Sequence, residues 1–426
     1  GRVASRQNRE YGRATIAVEE EDPLLLELPE HSIAWMSHGD TVESLPIGAS
    51  VVARTTNGVP AVLRLRETPA IYGLQFHPEV THTEHGRLLL STFAGDICGM
   101  RADWSVEAYL HRIRQELPAR VGHDPVLLLI SGGVDSTVVA ATLLSTLPAA
   151  QVHLMYVDTG LMRFDETTEV RRELEKLGAR NLHIVDAEEE FLSALAEIAD
   201  PEEKRHIIGD LFITIQEQEI ARHIPEAYVL AQGTLYTDLI ESGQGVGRKA
   251  RVIKSHHNVA SPLVRRKREE GRVLEPLSGL YKDEVRQLGR LLGVSDNVIR
   301  RHPFPGPGLA VRILGAVTKE RCDTLRRADA IYVEELKARN LYDQIWQAFT
   351  VLLPIQSVGV TGDARAYGDV IALRAVTSHD GMTADVFPFP TDSLLEISSR
   401  ITNEVSNVSR VVYDVSSKPP ATIEWE

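Results

Sequence analysis

Ser131-Gly132-Gly133-Val134-Asp135-Ser136-Thr137 is the stretch whose residue types could most directly do chemistry. Its two glycines give the backbone conformations barred to other residues and let main-chain amides approach a ligand closely. Amides at a helix start, together with the positive end of the helix dipole, bind phosphate. Ser131, Ser136 and Thr137 add hydroxyl donors. The apolar run Val126–Ile130 precedes the loop, and helical spacing follows over 136–147. Strand, loop and helix in that order is the context that confirms a phosphate-binding motif; a serine-capped turn would need much less. The Walker pattern G-x-x-x-x-G-K-[ST] is absent, and with it the lysine that steadies a transferred γ-phosphate.

Other groups cluster at comparable places. Val157-Asp158-Thr159-Gly160-Leu161 ends the strand-like run 152–158. Ligands of open α/β sheets bind at carboxyl ends of strands, which places Val157, Asp158 and the backbone at Gly160 and Leu161 for ribose and adenine. A polar strand-end turn is the plainer reading. Gly233-Thr234, in the segment Ala231–Asp238 after another apolar run, could approach a nucleotide or form an ordinary loop. Lys254 lies in Ile253-Lys254-Ser255-His256-His257-Asn258; adjacent histidines point in different directions, so no two-histidine metal site is expected there. Arg265-Arg266-Lys267-Arg268 reads either as a solvated loop or as an anion-seeking lid. Lys282 opens a helix and could reach a β- or γ-phosphate. Far upstream, His77-Pro78-Glu79 offers an imidazole with a carboxylate to orient it, two of the three groups that thiol catalysis needs.

The elements that must position these groups fall into three blocks. Residues 1–100 read as short strands (14–18, 32–36, 50–54, 61–65, 70–76), with a hairpin signal at Asn57-Gly58 and helical spacing over 85–98. Residues 101–300 alternate strand and helix, with strands at 126–130, 152–158, 181–187 and 228–232, predicting a parallel sheet with helices on both faces. His302-Pro303-Phe304-Pro305-Gly306-Pro307-Gly308 cannot be helix or central strand and reads as the linker to residues 301–426. That block mixes helices (319–339, 393–408) with strands (355–361, 370–376, 409–414). The 426 residues suffice for two or three domains. The formal net charge of −14 does not suit a general nucleic-acid binder. No apolar run approaches the ~20 residues that cross a bilayer. Two cysteines, Cys98 and Cys322, give no disulfide framework, and a cytoplasmic location is expected.

SGGVDST resembles the signature of the N-type ATP pyrophosphatases, in which the loop holds the β,γ-pyrophosphate and leaves the α-phosphorus open to attack. The resemblance implies ATP binding by Ser131 through Thr137. It also implies Mg²⁺ at Asp135, with Asp238 as a second ligand, because a bare carboxylate would repel pyrophosphate. Further segments are similar to those of the GMP synthase family: AQGTLYTD (231–238, with Thr237 where proline is usual), IKSHHN (253–258), RHPFPGPGL (301–309), VGVTGDAR (358–365) and SKPPATIEWE (417–426). The resemblance spans essentially all 426 residues. It implies an α/β ATP pyrophosphatase domain, preceded by part of a class I glutaminase domain and followed by an α+β dimerisation domain. It implies Lys254 and Lys282 on phosphates. Lys418 would bind the phosphate of xanthosine monophosphate (XMP), Ile423 and Glu424 its base or ribose, with Arg265, Asp363 and Arg365 on the same side. The expected reaction is ATP-dependent amination of XMP to GMP through an adenylyl intermediate, with ammonia from glutamine and the enzyme a homodimer.

GLQFHPE (73–79) resembles the His–Glu end of a class I glutamine amidotransferase triad, with His77 and Glu79 as its last two members. The family's cysteine elbow, G-x-C-x-G, belongs upstream of Gly1, and Cys98 and Cys322 lie in helical patterns without elbow glycines. Roughly the first half of a glutaminase domain is therefore outside these residues, and the sequence as given is expected to use ammonium rather than glutamine. Another loop-family enzyme, such as an NAD synthetase or a tRNA-thiolating enzyme, is the alternative. The latter would want catalytic cysteines and a basic surface. A non-catalytic nucleotide sensor is a further class.

Overall fold

Period-two alternation over the first hundred residues becomes one antiparallel sheet. The computed structural model describes residues 1–65, 70–80, 82–241, 262–361, 364–378 and 383–426. Contacts divide the chain into two units, Gly1–Trp104 and Ser105–Glu426. In the first unit, strands β1 (Arg2–Val18), β2 (His31–Ser44), β3 (Ala49–Thr55), β4 (Pro60–Leu65) and β5 (Ile71–Leu74) lie in the order β2-β1-β3-β4-β5. Alternate residues of β2, among them Ala34 and Met36, turn into a core with Ile16, Val52, Val62, Phe76 and Leu89. The Asn57-Gly58 signal is a real turn: Gly58 has φ +78° and its N–H donates to the Thr55 carbonyl at 2.8 Å. Helix α1 (Gly86–Thr92) and a π-helical turn (Phe93–Ile97) fill the stretch with helical spacing.

The second unit is built on a parallel sheet. Strands β6 (Val126–Ile130), β7 (Val152–Asp158), β8 (Asn181–Asp186), β9 (Val229–Ala231) and β10 (Val273–Leu274) run in the order β10-β9-β6-β7-β8. The apolar runs are buried on both faces, as a doubly covered parallel sheet requires. Val126, Leu128 and Ile130 of β6 pack with helices α2 (Val106–Val121) and α3 (Val134–Thr146), whereas Leu127 packs on the opposite face with Ile220 and Leu263. Helices α4 (Glu166–Lys176), α5 (Glu188–Leu195) and α6 (Pro201–His223) complete the first crossovers. The α6 start carries Pro201 in its first turn, and the Asp200 carboxylate accepts the Glu203 N–H at 2.9 Å. Then come α7 (Tyr236–Glu241), α8 (Pro262–Glu269), α9 (Lys282–Leu291) and α10 (Asp296–Ile299).

After the Pro/Gly linker, α11 (Lys319–Ala338) and α12 (Thr391–Glu404) cover a mixed sheet of β11 (Gln347–Thr361), β12 (Ala364–Thr377), β13 (Asp385–Val386) and β14 (Val408–Tyr413). Its core is continuous with α5 and α6: Phe191, Leu195, Ile208 and Ile215 pack with Leu309, Ile313, Tyr332, Leu352 and Ile371. Two contacts pin the linker. Gly308 has φ +63°, and a Cβ there would lie 2.4 Å from the Leu161 carbonyl oxygen, so only glycine fits. The His302 ring stacks on Tyr342 at 3.8 Å, its Nδ1 accepts the Ala348 N–H at 3.1 Å, and its Nε2 faces the Tyr342 carbonyl at 3.0 Å. Nε2 therefore carries the hydrogen.

Burial pushes the His302 ring down to about 4, against the upward pull of its bond to Tyr342. The unfolded chain, with a histidine near ~6.5, takes the proton first, so this contribution is complete above that pH and is lost as pH falls toward about 4. Denaturant unfolding between those limits is expected to show His302→Asn losing up to about 1.4 kcal/mol per pH unit less than wild type. Parallel slopes would show that His302 does not titrate on unfolding.

Candidate active site

Strand order places the chemistry. The chain goes from β6 outward to β7 and β8, then returns to the other side of β6 at β9. The crevice outside the carboxyl ends of β6 and β9 is therefore a topological switch point, where open α/β sheets bind ligands. The loop 131–133 leaves β6 there and α3 begins at Val134. Gly132 takes φ +76°. Internal bonds set the shape: the Ser131 N–H donates to Ser136 Oγ (3.3 Å), the Gly133 N–H to Ser131 Oγ (3.4 Å), and Thr137 Oγ1 to the Gly133 carbonyl (2.9 Å). First-turn N–H groups of α3 have no intrahelical acceptor, the arrangement that suits an anion.

Across the crevice, Gly233 lies against the loop. A Cβ at that position would sit 3.4 Å from Asp135 Cβ. Lys282 Nζ, from the α9 start, donates to both Asp135 carboxylate oxygens at 2.7 Å. Asp238 Oδ2 accepts the Leu235 N–H at 2.8 Å, and Thr234 Oγ1 donates to Glu275 (2.8 Å), which is also paired with Arg268 (2.7 Å). Asp135 in the first turn of α3 and Asp238 in α7 place carboxylate oxygens on the elements that follow β6 and β9. Among the described residues, no cluster of three or more His, Cys, Asp or Glu could hold a metal on its own.

The loop after β7 is braced by hydrogen bonds. Asp158 accepts the Gly160 N–H (3.0 Å) and the Thr167 hydroxyl (2.5 Å). Gly160 has φ +69°, and a Cβ there would meet Glu188 Cγ at 2.5 Å. Arg326 of α11 donates to the Gly160 carbonyl and, at 2.9 Å, to that of Met162. Val157 and Leu161 turn their side chains into the core, so only their main chain borders the crevice. Arg301, to which the sequence reading gave no role, donates to the Gly132 carbonyl at 3.2 Å.

The carboxyl-terminal segment is docked by three fully buried cations. Arg374 donates to the carbonyls of Asp414 (3.4 Å), Ser416 (2.6 Å), Thr422 (3.2 Å) and Ile423 (3.4 Å). Arg312 grips both Glu424 oxygens (2.8 and 3.1 Å), with Gln347 adding a bond at 2.7 Å. Lys204 reaches the Ala310 and Ile313 carbonyls and the Glu426 carboxylate (3.1, 2.7 and 2.6 Å). Ile423 is buried among Phe349, Val351, Ala372 and Val376. The Lys418 main chain pairs with Ala384. Arg265 is exposed on α8, and Arg365 is exposed on β12 opposite Val360. Lys254 and Asp363 lie outside the described residues.

In the first unit, His77 Nδ1 and Glu79 Oε1 are 2.8 Å apart. Partial burial raises the Glu79 carboxyl, but its own backbone N–H and the His77 ring outweigh that and leave it below the ordinary value. The turn is clamped: Thr83 donates to the His77 carbonyl (2.6 Å), and Gly86 passes so close to Pro78 that a Cβ would overlap the Pro78 carbonyl. Carboxylate at Nδ1 leaves Nε2 as the working nitrogen, the arrangement of a triad base.

This fold and site define an ATP pyrophosphatase-type synthetase carrying part of a class I glutaminase. Family comparison agrees: residues 1–97 match glutamine amidotransferase class-I, 118–218 asparagine synthase, and 334–425 the GMP synthase C terminal domain. Proteins named "GMP synthase [glutamine-hydrolyzing]" are 50% identical in Chlorobium phaeobacteroides, 48% in Thermosipho melanesiensis and 49% in Aquifex aeolicus; each match covers 100% of this chain and 82% of the relative. The chain belongs to the glutamine-hydrolyzing GMP synthase family.

Replacing Arg374 leaves four carbonyls and the Asp414 carboxylate without their cation. Arg374→Met is expected to lower the unfolding free energy by about 3 kcal/mol, read from the denaturant midpoint. A change within ~0.5 kcal/mol would mean that the tail docks without it.

Proposed function

We infer that this chain aminates XMP to GMP at the expense of ATP. The C2 oxygen of XMP attacks the α-phosphorus, the bond to the bridging β-oxygen breaks, and pyrophosphate leaves. Ammonia, normally supplied by glutamine hydrolysis, then attacks C2 of adenylyl-XMP, and AMP departs with the oxygen and the C–O bonding pair. The observation that carries this is the amide-lined loop at the β6/β9 switch point without a Walker lysine. It suits holding a leaving pyrophosphate.

The residues divide the work. The α3 amides, Ser131, Ser136 and Thr137 take the pyrophosphate, joined by Lys282 and Lys254. Asp158 and the main chain at 157, 160 and 161 take the adenosine, beside Gly233 and Thr234. Asp135 and Asp238 would hold Mg²⁺, which shields polyphosphate charge and polarises the phosphorus under attack. Lys418 takes the XMP phosphate, with Ile423 and Glu424 at its base or ribose and Arg265, Asp363 and Arg365 alongside. His77, oriented by Glu79, serves the glutaminase step. Catalysis at the synthetase centre is positioning and charge stabilisation.

We divide the functions at about residues 100 and 300: glutaminase part, ATP pyrophosphatase, then dimerisation and XMP binding. Exposed Val358 and Tyr367, paired across β11 and β12, together with exposed Val360 and Ile355, support a homodimer through the last region. Its solution mass should be twice that of the chain, and a monomer at working concentration would refute it. No helix among the described residues is long and apolar enough to cross a membrane, and we place the enzyme in the cytoplasm. An NAD synthetase gains no support beside the matches at residues 334–425. A thiolating enzyme fares no better: Cys322 is buried, and burial pushes its thiol up to about 11.

With XMP, ATP, Mg²⁺ and ammonium, the enzyme should release pyrophosphate, AMP and GMP in equal amounts. Orthophosphate in place of pyrophosphate would overturn the mechanism. Asp135→Asn should lower turnover at least ~100-fold. It should leave the melting temperature nearly unchanged, because the half-exposed pair with Lys282 contributes at most about 1 kcal/mol. Large destabilisation would mark Asp135 as structural.

A further inference from the structure

Arg301 lies two residues past the end of α10 and directly before the linker, and its guanidinium is nearly buried. One arm, NH1, donates to the Gly132 carbonyl at 3.2 Å and to Glu166 Oε1 at 2.9 Å; the other, NH2, reaches Glu169 Oε2 at 2.7 Å. Glu166 is itself buried directly beneath the loop. Its Oε1 would lie 3.2 Å from a Cβ on Gly132, and its Oε2 accepts the Arg163 N–H at 3.0 Å. Left without a cation, that carboxylate would stand under the place where pyrophosphate binds. Like charges held that close in a partly dry site repel strongly. The Gly132 carbonyl matters as much. It belongs to the same peptide plane as the Gly133 N–H, so fixing the oxygen fixes the direction of that amide.

The same strap continues away from the loop. His302 is locked to Tyr342 and Ala348, the Pro303 carbonyl accepts from Gln347 at 3.2 Å, and the same Gln347 nitrogen donates to Glu424 at 2.7 Å. Arg301 is thus held from behind by the segment that also docks the tail.

We propose that Arg301 is a positioning residue of the pyrophosphate loop, setting the Gly132–Gly133 peptide and neutralising Glu166. The inference rests on the reading that the loop holds pyrophosphate. Its test is product inhibition of ammonium-dependent GMP formation by pyrophosphate and by AMP, measured separately. Arg301→Met should raise the pyrophosphate inhibition constant at least tenfold and change that of AMP by less than twofold, since the adenosine side is held by residues 158–161 and Arg326. Arg301→Lys keeps a cation beside Glu166 but loses the fork, and should show the same split at about threefold. It serves where the Met variant does not fold. Unchanged pyrophosphate inhibition, or equal rises for both products, would overturn the proposal. A wild-type enzyme that neither releases pyrophosphate nor is inhibited by it would instead overturn the reading of the loop.

Discussion

A polyanion can bind beside carboxylates only when those carboxylates already have cations. This chain carries a formal charge of −14, and carboxylates crowd its proposed nucleotide site. Four of them have a basic partner: Asp135 has Lys282, Glu166 has Arg301, Glu275 has Arg268, and Glu188 has Lys319, while Asp158 and Asp238 accept from neutral N–H and O–H groups. The field presented to phosphate is then set by backbone amides and the α3 dipole, which a sheet edge can aim with little freedom left to lose. Parallel strand order brings these pairs to one crevice, because loops after β6, β7, β9 and β10 all leave from the same edge.

The carboxyl-terminal segment obeys the same rule in a drier setting. Moving Lys204, Arg312 and Arg374 out of water costs several kcal/mol each unless every donor finds an acceptor. Lys204 has three acceptors, and Arg374 is ringed by four carbonyls. Arg312 NH1 lacks a hydrogen-bond partner, but the guanidinium lies over the Phe304 and Phe349 rings at 5.0 and 4.1 Å. A terminal stretch of ordinary composition would fray. This one is tied down by these cations, and Glu424 is aimed by Arg312 and Gln347 rather than by its own preferences.

Local pattern revealed much of this and missed the rest for identifiable reasons. The glycine loop, the four longer parallel strands and the Asn57-Gly58 turn depend on neighbours in sequence, and all were legible. Strand β10 has two residues and exists only because β9 offers it a partner. The lengths of β1, β2 and β11 also come from pairing, not periodicity. Arg312 and Arg374 had a visible signal, a single arginine inside an apolar run (GLAVRIL, IALRAVT). Lys204, among the charged residues at a helix start, had none. Arg301 opens the segment RHPFPGPGL, yet its contact with Gly132 joins positions that no local pattern relates.

The ion pair between Lys204 and Glu426 spans 222 positions. During synthesis α6 leaves the ribosome long before its counterion, and so do Phe191 and Leu195, which need Ile371 and Leu373 beside them. Contacts of such high order are made late, and exposed partners invite aggregation while they wait. The α5 and α6 residues that face the last block therefore have their apolar partners only once that block is made, whereas the core around α2 and α3 draws on residues 106–299 alone. The proposed acceptor segment is thereby anchored to a helix made 222 positions earlier, so a substitution at Lys204 would be felt at the far end of the chain.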